Sequence, residues 1–143
     1  MTVNDILSQK GNQVLTIEPA ATLAEAVEML ARRRIGALVV TGADRRIVGI
    51  ISERDIVRVL DEKGTAVLDT PVAEAMTRKV VTCGEGETIA EIMERMTGGK
   101  FRHVPVVEQG RLVGIVSIGD IVKARLGELQ LEQDALRDYI RTA

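Results

Sequence analysis

The chain has 143 residues, 45% of them hydrophobic and 28% charged, a composition typical of a single soluble globular domain. A net charge of −2 and only two aromatic residues, Phe101 and Tyr139, argue against a nucleic-acid partner. No apolar run is long enough to span a membrane, no signal peptide is predicted, and the single cysteine cannot form an internal disulfide, so we expect a cytoplasmic protein without membrane contact.

The first half of the chain predicts a β-α-β-β-α unit. Residues 14–17 form a short run with high β propensity, and the apolar residues of 22–30 recur at helical spacing behind Thr22, a favourable N-cap. Two further apolar runs, 36–40 and 46–51, are separated by turn-forming residues, which predicts two adjacent strands. A second helix follows the later run.

The second half of the chain repeats this unit. The strongest match pairs VGIISERD at 48–55 with VGIVSIGD at 113–120. Three further segments match in the same order: 14–17, 22–30 and 36–40 correspond to 80–83, 88–96 and 102–106. A weaker match pairs VNDIL at 3–7 with VAEAM at 72–76. Internal duplication of this kind sets the architecture of the protein.

The duplication also predicts how the chain packs. Strands that are apolar on both faces need helices over them, and one small unit has too little surface to bury them alone. Two units packed about a pseudo-twofold axis would bury that surface and form two related clefts. We therefore predict an α/β (α+β) fold with residues 1–68 as the first repeat, including an N-terminal helix, 69–126 as the second repeat, and 127–143 as a C-terminal helix.

The C-terminal segment predicts a long amphipathic helix with a weak point at Gly127. Its apolar residues follow a four-three spacing that Gln133 shares: Val122, Leu126, Leu129, Leu136 and Ile140. This stripe either packs on its own domain or contacts a second copy or a partner protein, and the sequence leaves both interpretations open.

Each repeat places Ser-x-x-Asp at the start of its second helix, as Ser52 with Asp55 and as Ser117 with Asp120. One interpretation is structural, because a Ser followed three residues later by an acid resembles a capping box and suits the positive end of the helix dipole. The other is a binding site. A carboxylate beside a hydroxyl can accept two hydrogen bonds from a vicinal diol such as ribose, and a phosphate of the same ligand can approach the helix N–H groups.

An adenine ring beside such a ribose would need a slot between apolar backbone segments. The β-rich runs 14–17 and 80–83 could supply the edges of this slot. The candidate contacts in these runs are Thr16, Ile17, Thr82 and Cys83. For Cys83 the alternative is a buried structural thiol.

The duplicated unit, the segments VGIISERDIV and VGIVSIGDIV, and the run FRHVPVVEQGRLVGIVS together resemble a pair of cystathionine-β-synthase-type (CBS) domains, or Bateman module. The resemblance covers residues 1 to about 126. It implies a flat pseudo-symmetric module, often a homodimer, with two clefts for adenosine-containing ligands such as AMP, ADP, ATP, S-adenosylmethionine or NAD(H). It also implies that Asp55 and Asp120 hold the ribose hydroxyls, with Ser52 and Ser117 alongside.

The two repeats differ at the strand before the turn, where Gly36 and Ala37 stand in the first and Arg102 and His103 in the second. The resemblance makes Arg102 and His103 candidate phosphate contacts, while Gly36 and Ala37 leave space for a ligand. The alternative for His103 is a polar residue at a strand edge. Pro105, also a candidate contact, predicts an edge position or irregular pairing because it lacks a ladder donor.

Arg54 lies in the first turn of the predicted helix, where the second repeat has Gly119. The helix dipole slightly disfavours a cation there, which hints at an anionic neighbour such as a phosphate. The alternative is an exposed cation without a role. We therefore expect either that the two clefts prefer different ligands or that only one of the two is occupied.

These features predict a non-catalytic regulatory module that binds AMP or another adenine nucleotide, with NAD(H) as a further candidate, and that acts on an unidentified target protein. One Cys and one His form no familiar zinc constellation, and no set of acid, base and nucleophile points to catalysis. The alternative is a structural scaffold in which both Asp residues are helix caps and the C-terminal helix docks a partner protein.

Overall fold

The computed structural model describes residues 1–142, so Ala143 of the predicted segment 127–143 lies outside the described residues. Within residues 1–142 the helices are α1 (Val3–Lys10), α2 (Leu23–Arg33), α3 (Glu53–Lys63), α4 (Ile89–Gly99) and α5 (Ile118–Thr142). The strands are β1 (Thr16–Ile17), β2 (Ala37–Thr41), β3 (Ile47–Ser52), β4 (His103–Glu108) and β5 (Arg111–Ser117). This order confirms the predicted mixed fold of two repeats.

The two repeats form separate sheets. In the first repeat, β1 pairs in parallel with β2, and β2 pairs antiparallel with β3, with Ala37 opposite Ser52. In the second repeat, β4 pairs antiparallel with β5, with His103 opposite Ser117. In each sheet the Ser at the end of the last strand therefore pairs with a position that differs between the repeats, Ala37 in the first and His103 in the second.

The predicted strand at 80–83 is reduced to a single parallel bridge between Cys83 and Val106. Cys83 N donates to Pro105 O at 3.0 Å, and Val107 N donates to Cys83 O at 2.8 Å. The nitrogen of Pro105 faces the same segment but has no hydrogen to donate, so the parallel ladder cannot extend towards residue 81. The irregular pairing predicted from Pro105 is therefore present, on the side of β4 away from β5.

Most of the buried apolar residues of 1–142 form two cores, and each core is closed in part by the segment that precedes the β run at the start of the other repeat. Helix α1 packs into the second core through Val3, Ile6 and Leu7. The segment that joins the repeats packs into the first core through residues such as Val67 and Val72. The N-terminal helix, which the prediction counts with the first repeat, 1–68, therefore packs on the core of the second repeat.

In this exchange of covers, each segment packs on the core of the other repeat. Segments 3–7 and 72–76 therefore occupy equivalent positions, which explains the weak match between their sequences. Thr2 forms a bridge with Thr88 at the start of α4, and Pro71 forms the corresponding bridge with Thr22 at the start of α2. Both threonines at the helix starts also act as the predicted N-caps, since their hydroxyls accept from the amides three residues on.

Two glycines in equivalent strand positions have different neighbours. A Cβ at Gly49 would lie 2.8 Å from Met76 Cγ and 3.0 Å from the main-chain oxygen of Thr77. A Cβ at Gly114 would lie 2.8 Å from Leu7 Cδ2, and its three nearest atoms would all belong to that side chain. Thr77 in turn exchanges backbone hydrogen bonds of 2.8 and 2.9 Å with Ile50. Gly49 therefore allows the joining segment to pair with β3.

We expect Gly49→Ala to lower the free energy of unfolding by about 1–3 kcal/mol, as overpacking usually does. Gly114→Ala should cost less, because the Leu7 side chain can shift whereas the Thr77 main chain cannot move without losing its pairing. Urea unfolding of the two variants measures the difference. A loss for Gly114→Ala equal to or larger than that for Gly49→Ala would contradict this account.

Helix α5 runs unbroken through Gly127, so the predicted weak point is absent from the structure. Only Ile121 and Ala124 of its described residues are buried. The predicted stripe of Val122, Leu126, Leu129, Leu136 and Ile140 is exposed, and Ile140 retains 64% of its surface. The described chain therefore does not cover this stripe itself. No described helix combines the length and the apolar character that crossing a membrane requires.

Candidate functional site

A first cleft opens where the start of α3 faces the second repeat. It encloses about 340 Å³. Ser52 and Asp55 line it from the first repeat, and Val80 and Val81 line it from the second. The carboxylate and hydroxyl predicted to hold a ribose therefore face the backbone segment that precedes Cys83.

The Asp55 carboxylate has one oxygen committed to the helix and one directed to side chains. Oδ2 accepts from Ser52 N and Ser52 Oγ, both at 3.0 Å, which forms the capping box of α3. Oδ1 accepts from Arg58 Nη1 at 3.2 Å and, at a longer 3.4 Å, from Thr77 Oγ1. The capping box expected from the structural interpretation of Ser-x-x-Asp is thus present, but it involves only one of the two carboxylate oxygens. The side chains of Arg58 and Thr77 also line the cleft.

Cations dominate the rest of the first cleft. Five of its lining side chains are basic and two, Glu53 and Asp55, are acidic. The basic residues are Arg54, Arg58, Lys79, Lys100 and Arg102. A cleft with this balance attracts an anionic ligand.

A second cleft of about 1010 Å³ lies at the pseudo-equivalent position beside Ser117. Val14 and Leu15 line it from the first repeat, as Val80 and Val81 line the first cleft. None of the described residues that line it is acidic, and four are basic: Lys10, Arg33, Arg34 and Arg45. Asp120 contacts Lys10 and does not form part of the lining.

The Asp120 carboxylate is held by Lys10. Its Oδ2 accepts from Lys10 Nζ at 2.6 Å and from Ser117 N at 2.9 Å. Lys10 Nζ also donates to Ile115 O at 2.9 Å. Burial raises the pKa of Asp120, but the hydrogen bonds from Lys10 and Ser117 outweigh it, so the net pKa is lowered and the carboxylate is charged.

Gly36, Ala37 and His103 line both clefts and form a shared wall between them. A Cβ at Gly36 would lie 3.0 Å from His103 Cε1, so the absence of a side chain there lets the imidazole lie between the repeats. Burial lowers the pKa of His103, and the negative charge of Glu53 opposes this only in part. The ring is therefore neutral near pH 7, with one nitrogen able to donate and the other to accept.

The structure brings most of the predicted site residues to the clefts. Seven line the first cleft: Gly36, Ala37, Ser52, Arg54, Asp55, Arg102 and His103. Ser117 lines the second, which shares three of the seven. Six predicted residues line neither cleft: Thr16, Ile17, Thr82, Cys83, Pro105 and Asp120. The segments of the two β runs that do line the clefts, 14–15 and 80–81, lie two residues earlier in each run.

Two of these residues lie in the hydrophobic cores instead of the clefts. Ile17 is buried in the first core and Cys83 in the second. Burial raises the pKa of the Cys83 thiol to about 12, so it is protonated and unreactive at neutral pH. The interpretation of Cys83 as a buried structural thiol fits this position.

Sequence reasoning missed Lys10, Arg58 and Thr77, each of which touches one of the two carboxylates. Arg58 could have been found, because a cation three residues after an acid shares its helix face. Lys10 and Thr77 reach the carboxylates from segments distant in sequence, and no local pattern marks them. The described residues contain no group of three or more His, Cys, Asp or Glu able to hold a metal ion.

A duplicated α/β unit with two basic clefts between the repeats and a capped carboxylate in each half defines a paired-repeat module. The family model described as CBS domain matches residues 3–62 and 72–127. The chain therefore belongs to the CBS domain family, as the sequence predicted.

Relatives and solved structures agree with this assignment. The crystal structure of the CBS-domain containing protein ATU1752 from Agrobacterium tumefaciens shares 50% identity, with a TM-score of 0.85 over 87% of this chain and 99% of that chain. The CBS domain-containing protein CBSX3, mitochondrial, of Arabidopsis thaliana is 32% identical over 98% of this chain and 72% of its own length. The CBS domain pair of protein MJ0100, solved with 5-methylthioadenosine and S-adenosyl-L-methionine, is 29% identical with a TM-score of 0.80, over 90% of this chain and 98% of that chain.

Proposed function

We propose that the protein is a non-catalytic regulatory module that binds an adenine mononucleotide in its first cleft. The observation that carries this proposal is the Ser52–Asp55 pair on the wall of a basic cleft between the repeats. The complex of MJ0100 with two adenosine-containing compounds supports the ligand class, since that protein shares the fold along nearly its whole length. The proposed compartment is the cytoplasm, in keeping with a single, buried thiol.

The cleft offers a distinct partner for each part of a nucleotide. The Oδ1 atom of Asp55 can accept from the ribose hydroxyls once Arg58 swings out. The side chain of Arg58 is already 54% exposed. The main chain at Val80 and Val81 provides a polar edge for the adenine ring, because this segment makes no ladder with β4. Arg54 and Arg102 provide positive charge for a phosphate.

The volume of the first cleft narrows the choice of ligand. At about 340 Å³ it lies near the lower end of the roughly 300–1,000 Å³ that small-molecule sites occupy. We therefore favour AMP over the larger dinucleotide NAD(H), with ADP, ATP and S-adenosylmethionine as further candidates.

A ligand should raise the thermal midpoint of the protein. At a hundred times its dissociation constant, a ligand that binds only the folded state adds about 2.7 kcal/mol to the free energy of unfolding. Thermal melts with AMP, ADP, ATP, NADH and S-adenosylmethionine measure this, with inosine monophosphate as a control for recognition of the adenine ring. If none of the five raises the midpoint, the protein is the scaffold that the sequence left as the alternative.

For binding to act as a signal, the ligand must prefer one arrangement of the repeats or subunits over another. His103 and Gly36 lie in the wall between the clefts, so a ligand in the first cleft presses on residues that also shape the second. This shared wall is the proposed element through which binding reaches a target protein.

We also propose that two copies of the chain associate through α5. The exposed stripe of this helix fits a heptad in which Leu129 and Leu136 occupy d positions and Gln133 an a position. In a parallel pair, Glu132 of one copy would face Arg137 of the other, which are the g and e positions that favour this orientation. The apolar spacing and the charges therefore support a second copy of this chain as the occupant of the stripe.

A further inference from the structure

The second cleft differs from the first in what already occupies its carboxylate. Lys10 Nζ lies 2.6 Å from Asp120 Oδ2 and 2.9 Å from Ile115 O, so the ammonium group is held by two acceptors at once. Lys10 comes from the end of α1 and reaches a helix 110 residues further along the chain. The ammonium group therefore fills the space beside Asp120 that a ribose diol would need.

The corresponding place beside Asp55 is occupied differently. Thr77, which precedes the β run of the second repeat as Lys10 precedes that of the first, contributes a neutral hydroxyl at 3.4 Å. The cation nearest to Asp55 is Arg58, on the same helix at 3.2 Å and with most of its length in solvent. In the first cleft a ligand displaces the 3.4 Å contact of Thr77 and the 3.2 Å ion pair of the largely exposed Arg58, but in the second it displaces a 2.6 Å ion pair.

We propose that Lys10 is an internal occupant of the second ribose position, so that the chain binds one nucleotide, at Asp55, and keeps the site at Asp120 closed. This inference rests on the proposed function, because it assumes that the first cleft binds a nucleotide through Asp55. It makes Lys10 the residue that sets the number of ligands per chain.

The chemistry of the exchange explains why the site stays closed. A ribose hydroxyl would replace a charge-assisted hydrogen bond with a neutral donor, and charge-assisted bonds are roughly twice as strong. The displaced ammonium group would then lie in a cleft whose other charged lining residues are Arg33, Arg34 and Arg45, with no acid among the described lining to receive it. Both effects oppose the opening of the second site.

The test counts binding sites by isothermal titration with AMP, and with ATP and S-adenosylmethionine as additional probes. The native protein should bind one equivalent of the probe per chain. Lys10→Met keeps the aliphatic part of the side chain and removes the charge, so it should open a second site at least about tenfold tighter than any second site of the native protein. Lys63→Met, at the far end of α3, is the matched control and should leave one site.

Two double variants locate the new site. Lys10→Met with Asp55→Asn should retain only the site at Asp120, and Lys10→Met with Asp120→Asn should retain only the site at Asp55. Thermal melts without ligand report whether each variant is folded. Should Lys10→Met prove unfolded, Lys10→Gln, which retains a hydrogen-bond donor to Asp120, replaces it in the same comparison.

The outcomes separate this inference from the proposed function. Two sites in the native protein, one of them lost in Asp120→Asn, would overturn the role of Lys10 and leave nucleotide binding intact. One site in the folded Lys10→Met variant would also overturn it. Failure of every variant to bind any probe would overturn both proposals.

Discussion

Asp55→Asn should bind AMP about ten to a hundred times more weakly than the native protein. The substitution keeps the size and shape of the side chain but removes the charge from the proposed acceptor of the ribose hydroxyls. A hydrogen bond to a charged group contributes about 1.5–3 kcal/mol, which corresponds to that range of affinity. Isothermal titration measures the change directly.

The control for this prediction is Glu25→Gln. Glu25 closes the capping box of α2 with Thr22, in the same way as Asp55 closes that of α3 with Ser52, but it lines neither cleft. Both variants should lose part of a helix cap, and only Asp55→Asn should lose affinity for AMP. Equal affinities in the two variants would show that Asp55 is a cap and nothing more.

Asp120→Asn distinguishes two expectations of ours. The family resemblance alone assigns the same ribose role to both carboxylates and predicts a similar loss of binding. The contact of Asp120 with Lys10 predicts that this substitution leaves the affinity of the native protein for AMP nearly unchanged. The titration that examines Asp55 therefore also decides between equivalent and unequal clefts.

Leu129→Glu combined with Leu136→Glu should convert a dimer into a monomer. Full burial of a leucine side chain contributes about 1.5–3 kcal/mol, and two copies would bury four of these leucines in the interface. Loss of this contribution and burial of four carboxylates should raise the dissociation constant of the dimer by at least about a hundredfold. Sedimentation equilibrium over a range of protein concentrations measures this constant.

Leu131→Glu is the matched control for the dimer. Leu131 lies on the same helix and is 67% exposed, but it falls outside the heptad stripe. Its substitution should leave the dimer intact. A monomeric native protein, or a Leu131→Glu variant that dissociates as readily as the double variant, would refute the proposed role of α5.

The duplicated patterns of the sequence were sufficient to predict the fold. Thr22 and Thr88 start their helices as expected, and the apolar runs around Gly49 and Gly114 form the expected strands. These features depend on neighbours within a few residues, and such local preferences are what a sequence pattern reports. The Ser-x-x-Asp segments were placed correctly for the same reason.

The remaining features depend on contacts between distant segments. The shortened pairing at 80–83 results from Pro105 on the neighbouring strand. The packing of α1 on the second repeat could be predicted only by interpreting the weak match of 3–7 with 72–76 as an exchange of covers. Lys10 meets Asp120 only because that exchange brings the end of α1 to the second cleft. Ile17 and Cys83, predicted as contacts, are buried in the two cores, and this burial depends on residues distant in sequence.

The exchanged covers impose an order on the synthesis of the protein. The first core is complete once the joining segment up to about residue 77 has left the ribosome, since it draws its last members from that stretch. Helix α1 is made before the surface on which it packs, because that surface includes residues of β5, which ends at Ser117. Helix α1 therefore stays undocked, with its apolar face unburied, while residues 11–117 are synthesised.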